Sequence, residues 1–145
     1  MHDYHHFTVD VEEFFQVVAL LPFVPRDRWE SFESRVEAAI DRLLTLLDDA
    51  GATATFFTLG WVAQRKPAML RRITSAGHEV ASHGWGHKRV TFLKPESFRD
   101  SVRRSRDILQ DMTGQTVRGY RAPSYSITPG REWALEILVE EGYTY

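Results

Sequence analysis

Apolar and polar positions along this chain follow two alternating periods. Residues 7–11, Phe-Thr-Val-Asp-Val, are aromatic and β-branched and predict a short strand. Val36, Ile40, Leu43, Leu44 and Leu47 recur at three- and four-residue spacing and predict one buried helical face. That helix is expected to start near Ser34, where Ser34-Arg35-Val36-Glu37 has the form of a capping box, and to stop at Gly51. An irregular stretch through Leu21, Pro22 and Pro25 separates the two. The alternation then repeats. Residues 53–58 predict a second strand, Gly60 to Ala76 a helix restarting at Pro67, and residues 78–82 a third strand. A helix from Pro95 to about Met112, ended by Gly114, leads to a weaker strand over 117–121 and a helix from Arg131 to Glu141. Tyr143-Thr144-Tyr145 again has strand character.

Strands alternating with helices predict parallel strands and crossover helices, the α/β class. A closed barrel needs more strands than this. The expectation is one domain over residues 1–145, built as an incomplete (β/α) barrel with parallel strands and outer helices, truncated at its C-terminus.

Composition narrows the chemistry. Mixed charges and a formal net charge of -2 give no basic face for nucleic acid. The chain has no cysteine, which excludes disulfides and thiolate metal sites and leaves histidine and carboxylate as metal ligands. No apolar run has the length of a membrane span, and the opening residues lack the form of a signal peptide, so a cytoplasmic location is expected.

In parallel α/β folds ligands bind at the C-terminal ends of the strands. Asp10, Glu12 and Glu13 follow the first strand. Ser82-His83-Gly84-Trp85-Gly86-His87 follows the third, and Arg121-Ala122-Pro123-Ser124-Tyr125 ends the fourth. The glycines let the loop bend so that His83 and His87 converge. Two imidazoles and one carboxylate form a common catalytic zinc set, and a second carboxylate can serve as general base. Plainer roles compete at several positions. Glu13 is read as solvated or one layer out from the metal, Trp85 equally as core packing or as a sugar platform, and Arg121 taken alone as a surface ion pair. His2, His5, His6 and His78 are read as structural or surface residues.

Together these stretches resemble the NodB-homology polysaccharide deacetylase family, carbohydrate esterases with a distorted parallel β/α barrel. FTVDVEEFFQV resembles the family's first motif, TATFFTLG its second strand, AGHEVASHGWGH its histidine motif and GYRAPSYS its arginine–proline motif. The Asp-Val-Glu-acid-aromatic opening is most similar to deacetylases found with bacterial exopolysaccharide and exosortase loci. The resemblance implies Asp10 as general base and Glu12, His83 and His87 as metal ligands. It implies that Arg121 orients Asp10 and holds its ionised form, and that Pro123 shapes a loop whose backbone N–H meets the oxyanion. Ser124, Tyr125 and Trp85 complete the substrate side. The implied cofactor is a divalent metal, Zn²⁺ ahead of Co²⁺, Ni²⁺, Mn²⁺ or Fe²⁺. The implied substrate is an N-acetylated polysaccharide or oligosaccharide, whose acetamide is hydrolysed.

Four features depart from the family pattern. Glu12 replaces the usual metal Asp, which keeps Glu13 as a rival ligand. Gly84 replaces the Ser or Thr after the first metal histidine. Ser124 stands where an aromatic is usual, with Tyr125 one step later. The late motifs, with their general-acid histidine, have no counterpart after Gly130. Two further expectations follow: a carbohydrate- or metal-binding remnant without turnover, or a hydrolase of a small amide.

Overall fold

The computed structural model describes residues 5–145; His2 lies outside them. Strands β1 (Thr8–Val11), β2 (Thr55–Thr58) and β3 (Glu79–Ser82) form a parallel sheet in that order. Residues paired across parallel strands point to the same side. The register therefore puts Thr8, Asp10, Thr55, Phe57, Glu79 and Ala81 on one face, and Val9, Val11, Phe56, Thr58, Val80 and Ser82 on the other. The second face carries the core. Val11, Phe56 and Val80 are buried with Ile40 of helix α1 (Val36–Asp49), Val62 of α2 (Gly60–Arg65), and Met69, Leu70 and Ile73 of α3 (Pro67–Ser75). Helix α4 (Pro95–Thr113) adds Phe98, Val102 and Leu109, and α5 (Trp133–Glu140) adds Ala134, Ile137 and Leu138. No helix among the described residues is long and apolar enough to cross a membrane.

The expected fourth strand is reduced to one parallel bridge. Ser82 donates its N–H to the Gly119 carbonyl and accepts from the Arg121 N–H, both at 2.9 Å. On its far side the segment meets residues 143–145: Thr144 N–H donates to Arg118 O at 2.8 Å, and Tyr120 N–H to Tyr145 O at 2.9 Å. The Tyr145 ring lies so close that a Cβ on Gly119 would sit 2.5 Å from it. A residue without a side chain is thus required there, and such a residue also weakens strand pairing.

The start of α1 is a second correction. Ser34 makes no capping box; Arg35 is the N-cap residue and contributes no side-chain cap. The carboxylate of Glu13 does that work, accepting from the Ser34 hydroxyl and, at 3.0 Å, from the Arg35 N–H. The α1 face is as expected, with Val36, Ile40 and Leu47 buried and Leu43 and Leu44 packed against them.

The irregular stretch after β1 contains three short 3-10 turns, Phe14–Gln16, Val18–Leu20 and Arg26–Ser31. They enclose a satellite cluster of Phe15, Val24 and Trp29, backed by Leu20, Phe32 and Trp61.

Candidate metal centre

Glu12 follows β1 directly, and His83 follows β3. The histidine loop is fastened to the first turn of α2. Gly60 N–H donates to Gly84 O, and Trp61 N–H to Trp85 O, both at 2.9 Å. His83 N–H donates to Thr58 O at 3.0 Å, and the Ser105 hydroxyl to Gly84 O at 2.9 Å. At its far end His87 takes a left-handed backbone conformation, φ 52°, which side chains other than Gly adopt uncommonly. The Arg26 guanidinium donates to the carbonyls of Gly86 and His87 while lying 4.7 Å over the Trp29 ring. Arg26 thus holds the loop in the shape that aims His87.

Glu12, His83 and His87 each offer one ligand atom, all within 4.8 Å of one another. Glu12 Oε2 stands 2.9 Å from His87 Nε2 and 4.0 Å from His83 Nε2. His83 Nδ1 lies 2.8 Å from the Arg121 carbonyl, so it carries the proton and leaves the Nε2 lone pair toward Glu12. Burial pushes the His83 pKa down, against the opposing pull of Asp10, and favours the neutral imidazole. Glu12 Oε2 is itself buried and accepts no hydrogen bond. A buried carboxylate oxygen without a hydrogen bond, set among two imidazole nitrogens, is an arrangement that a cation would satisfy. The donor set fits a divalent cation of the zinc type.

Glu12, not Glu13, is the acid brought to the histidines. Glu13 is 2% exposed and committed to α1, so it is neither solvated nor a neighbour of the cluster. Asp10 points into the same rim, Oδ2 lying 3.9 Å from His83 Nε2. Its Oδ1 accepts from Arg121 Nη1 at 2.7 Å. Arg121 Nη2 donates to Thr8 Oγ1 at 2.8 Å, and the guanidinium lies 4.0 Å over the Phe57 ring. Arg121 therefore reaches across the inner sheet face, where Thr8, Asp10 and Phe57 stand together.

Pro123–Tyr125 forms a tight turn with Ser124 and Tyr125 both left-handed, φ 54° and 53°. Consecutive strained residues of this kind persist only where the surroundings hold them, and they cluster at binding sites. Here the holder is buried Ser126, whose hydroxyl donates to Pro123 O at 2.6 Å and accepts from Val90 N–H at 2.9 Å. Tyr125 is 90% exposed. Trp85 is turned toward the helices: its ring lies under Arg104 at 3.4 Å, and a Cβ on Gly60 would approach it to 2.5 Å.

The remaining described histidines stand elsewhere. His5 and His6 border a cleft with Thr53, Thr55 and Glu79, at the opposite ends of the strands. His78 is buried, its Nδ1 accepting from Ala54 N–H at 3.3 Å.

Sequence reasoning passes over Thr8, Phe57, Arg26 and Ser126. Thr8 has a signal, since it precedes Asp10 by two residues in a strand and so shares its face. Arg26 has none, because its partners lie 60 and 61 residues along the chain, and the bond from Val90 to Ser126, 36 residues apart, has none either.

The polysaccharide deacetylase family model matches residues 27–145. A peptidoglycan deacetylase of Helicobacter pylori is 29% identical over 109 residues, covering 75% of this chain and 36% of that protein. A chitooligosaccharide deacetylase of Bradyrhizobium is 30% identical over 97 residues, covering 66% of this chain and 42% of that protein. The chain thus spans less than half the length of these curated relatives. A family 4 carbohydrate esterase from Streptomyces lividans, solved with acetate, superposes with a TM-score of 0.73 at 22% identity, covering 97% of this chain and 60% of that one. The shared architecture is an α/β fold of parallel strands and outer helices, an incomplete barrel of this type. With the match running from residue 27 to residue 145, the chain belongs to the polysaccharide deacetylase family.

Proposed function

We propose that this protein removes N-acetyl groups from amino sugars of a polysaccharide by metal-dependent hydrolysis. We further propose a place in exopolysaccharide synthesis, on the resemblance that the Asp10-Val11-Glu12-Glu13-Phe14 opening bears to that subgroup. The observation that carries the activity is the convergence of Glu12, His83 and His87 beside the Asp10–Arg121 pair. The names of the relatives, a peptidoglycan and a chitooligosaccharide deacetylase, support an N-acetylated glycan as substrate.

Glu12, His83 and His87 would hold the cation, zinc foremost, with Co²⁺, Ni²⁺, Mn²⁺ or Fe²⁺ accepted by the same donors. A cation so held supplies a water of lowered pKa and a positive charge for the acetyl oxygen. Asp10 takes the proton from the attacking water at Oδ2, the oxygen on the histidine side. Arg121 occupies Oδ1, and its contacts with Thr8 and Phe57 stop the carboxylate from rotating away. The turn that begins at Pro123 offers a backbone N–H to the oxyanion, and Ser124 and Tyr125 meet the sugar beside it. The C–N bond breaks, acetate leaves, and the amine takes up the proton that Asp10 removed from the water.

A second reading, binding without turnover, rests on one observation: His5, His6 and His78 all lie away from Asp10, so none of them can protonate the leaving amine. Elemental analysis and an acetate-release assay on an N-acetylated oligosaccharide separate the two. Near-stoichiometric metal is expected in the wild type and none in His83→Ala/His87→Ala. Asp10→Asn should keep the metal and lose about 10²–10⁴-fold in kcat. Metal without acetate release supports the binding reading, and a wild type without metal overturns both.

A further inference from the structure

Next to the metal group the rim opens into a second cleft of about 240 Å³, whose lining includes His87, Leu21, Phe92, Arg26, Lys88 and Arg89. Three of these side chains are cationic, and no acid lines the cleft. In a chain of net charge -2 that is an imbalance. Several arginines elsewhere are paired within the fold: Arg65 by Glu30, Arg72 by Glu37 and Asp41, and Arg99, Arg103 and Arg106 by Glu141. Arg26 spends its guanidinium on the carbonyls of Gly86 and His87. Lys88 and Arg89 have no acidic partner among the described residues, and Arg89 Nε is buried without an acceptor. Lys88 is exposed and Arg89 half-buried, so their outer N–H groups are open to an anion from outside the chain. Phe92, 79% exposed at the same cleft, offers a flat apolar face of the kind that a sugar ring covers.

Resting on the deacetylase reading, we infer that this cleft binds a carboxylate-bearing sugar next to the N-acetylated one, with Lys88 and Arg89 gripping the carboxylate. His87 is both a wall of the cleft and a member of the metal group, so a ring seated there adjoins the reacting acetamide. The volume falls below the roughly 300–1,000 Å³ of a drug-sized ligand site, which suits one ring rather than several. A guanidinium favours a planar carboxylate because its N–H groups match both oxygens. The substrate class is thereby narrowed to acidic glycans in which an N-acetylated sugar neighbours a uronic acid.

The test is calorimetric titration of the zinc-supplemented full chain with two tetrasaccharides. One is neutral, chitotetraose; the other is a hyaluronan tetrasaccharide, in which N-acetylglucosamine alternates with glucuronate. The acidic one should bind about tenfold tighter, and the gap should shrink as salt rises. In Lys88→Ala/Arg89→Ala the gap should vanish while chitotetraose affinity and zinc content stay as in the wild type. Equal wild-type affinities, or a gap that survives in the variant, would overturn the carboxylate cleft and leave the deacetylase reading standing. Binding of neither sugar by zinc-loaded protein would overturn both.

Discussion

At the scale of single residues, the Asp10 carboxylate is aimed by a chain of contacts that begins two positions earlier in its own strand. Thr8 accepts from one end of the Arg121 guanidinium, Asp10 from the other, and Phe57 lies beneath it. Thr8 touches no reacting group, so its role is positioning. Thr8→Val keeps the shape and removes the acceptor, and kcat for acetate release is expected to fall about tenfold, some 1.4 kcal/mol, with KM unchanged. Thr8→Ser should restore it. A Thr8→Val protein with wild-type kcat would show that Asp10 and Phe57 suffice to hold Arg121. The Glu12, His83 and His87 group is legible in the sequence, because Glu12 and His83 follow recognisable strands and His87 lies four residues beyond His83. Of the two acids that the sequence leaves open, Glu12 meets the histidines and Glu13 does not, because adjacent residues point in different directions.

At the scale of elements, the same Glu13 explains why a local motif misleads. Ser34-Arg35-Val36-Glu37 has the right letters for a capping box, yet the cap comes from a carboxylate 21 residues upstream. A local pattern cannot register a partner that arrives through tertiary folding. The long apolar stripes of α1, α3 and α4 are legible because burial repeats every turn. The fourth strand is not, because one bridge and the pressed Tyr145 ring replace a ladder there. Trp85, which the sequence leaves even between packing and a sugar platform, lies under Arg104 of α4, a partner that no local pattern registers. Glu13→Ala is expected to destabilise the fold by about 1 kcal/mol: it removes the anion at the N-terminus of α1 and the acceptor of the Ser34 and Arg35 donors. Urea denaturation measures the loss. Zinc content should stay at the wild-type level, because Glu12 is untouched. A parallel loss of zinc would mean that the cap also shapes the metal loop.

At the scale of the whole molecule, the last helix is fastened by charge as well as by apolar packing, and this ties the metal rim to acid conditions. Glu141, 6% exposed at the end of α5, faces Arg99, Arg103 and Arg106, which share one side of α4. Hydrogen bonding to Arg103 is the main cause that holds its carboxyl at about 2, against an ordinary 4.5, while burial opposes the shift. A depressed folded-state pKa contributes stability above about pH 4.5, and that contribution fades as pH falls toward 2. The arginines are between 22% and 50% exposed, so solvent screens the pairs and the contribution is put at about 1–2 kcal/mol. Glu141→Gln should accordingly be less stable than the wild type in urea at pH 6 and indistinguishable from it near pH 2. The consequence reaches further than α5. Residues 143–145 follow Glu141 directly and bond to the segment 118–120 that presents Arg121. Releasing Glu141 is expected to loosen the outermost segment of the sheet and, with it, the Arg121 carbonyl that meets His83 Nδ1. Zinc affinity should weaken in Glu141→Gln at pH 6 by a factor that leaves His83→Ala/His87→Ala far weaker still. An unchanged zinc affinity would confine Glu141 to stability and show that β3 alone holds His83 in place.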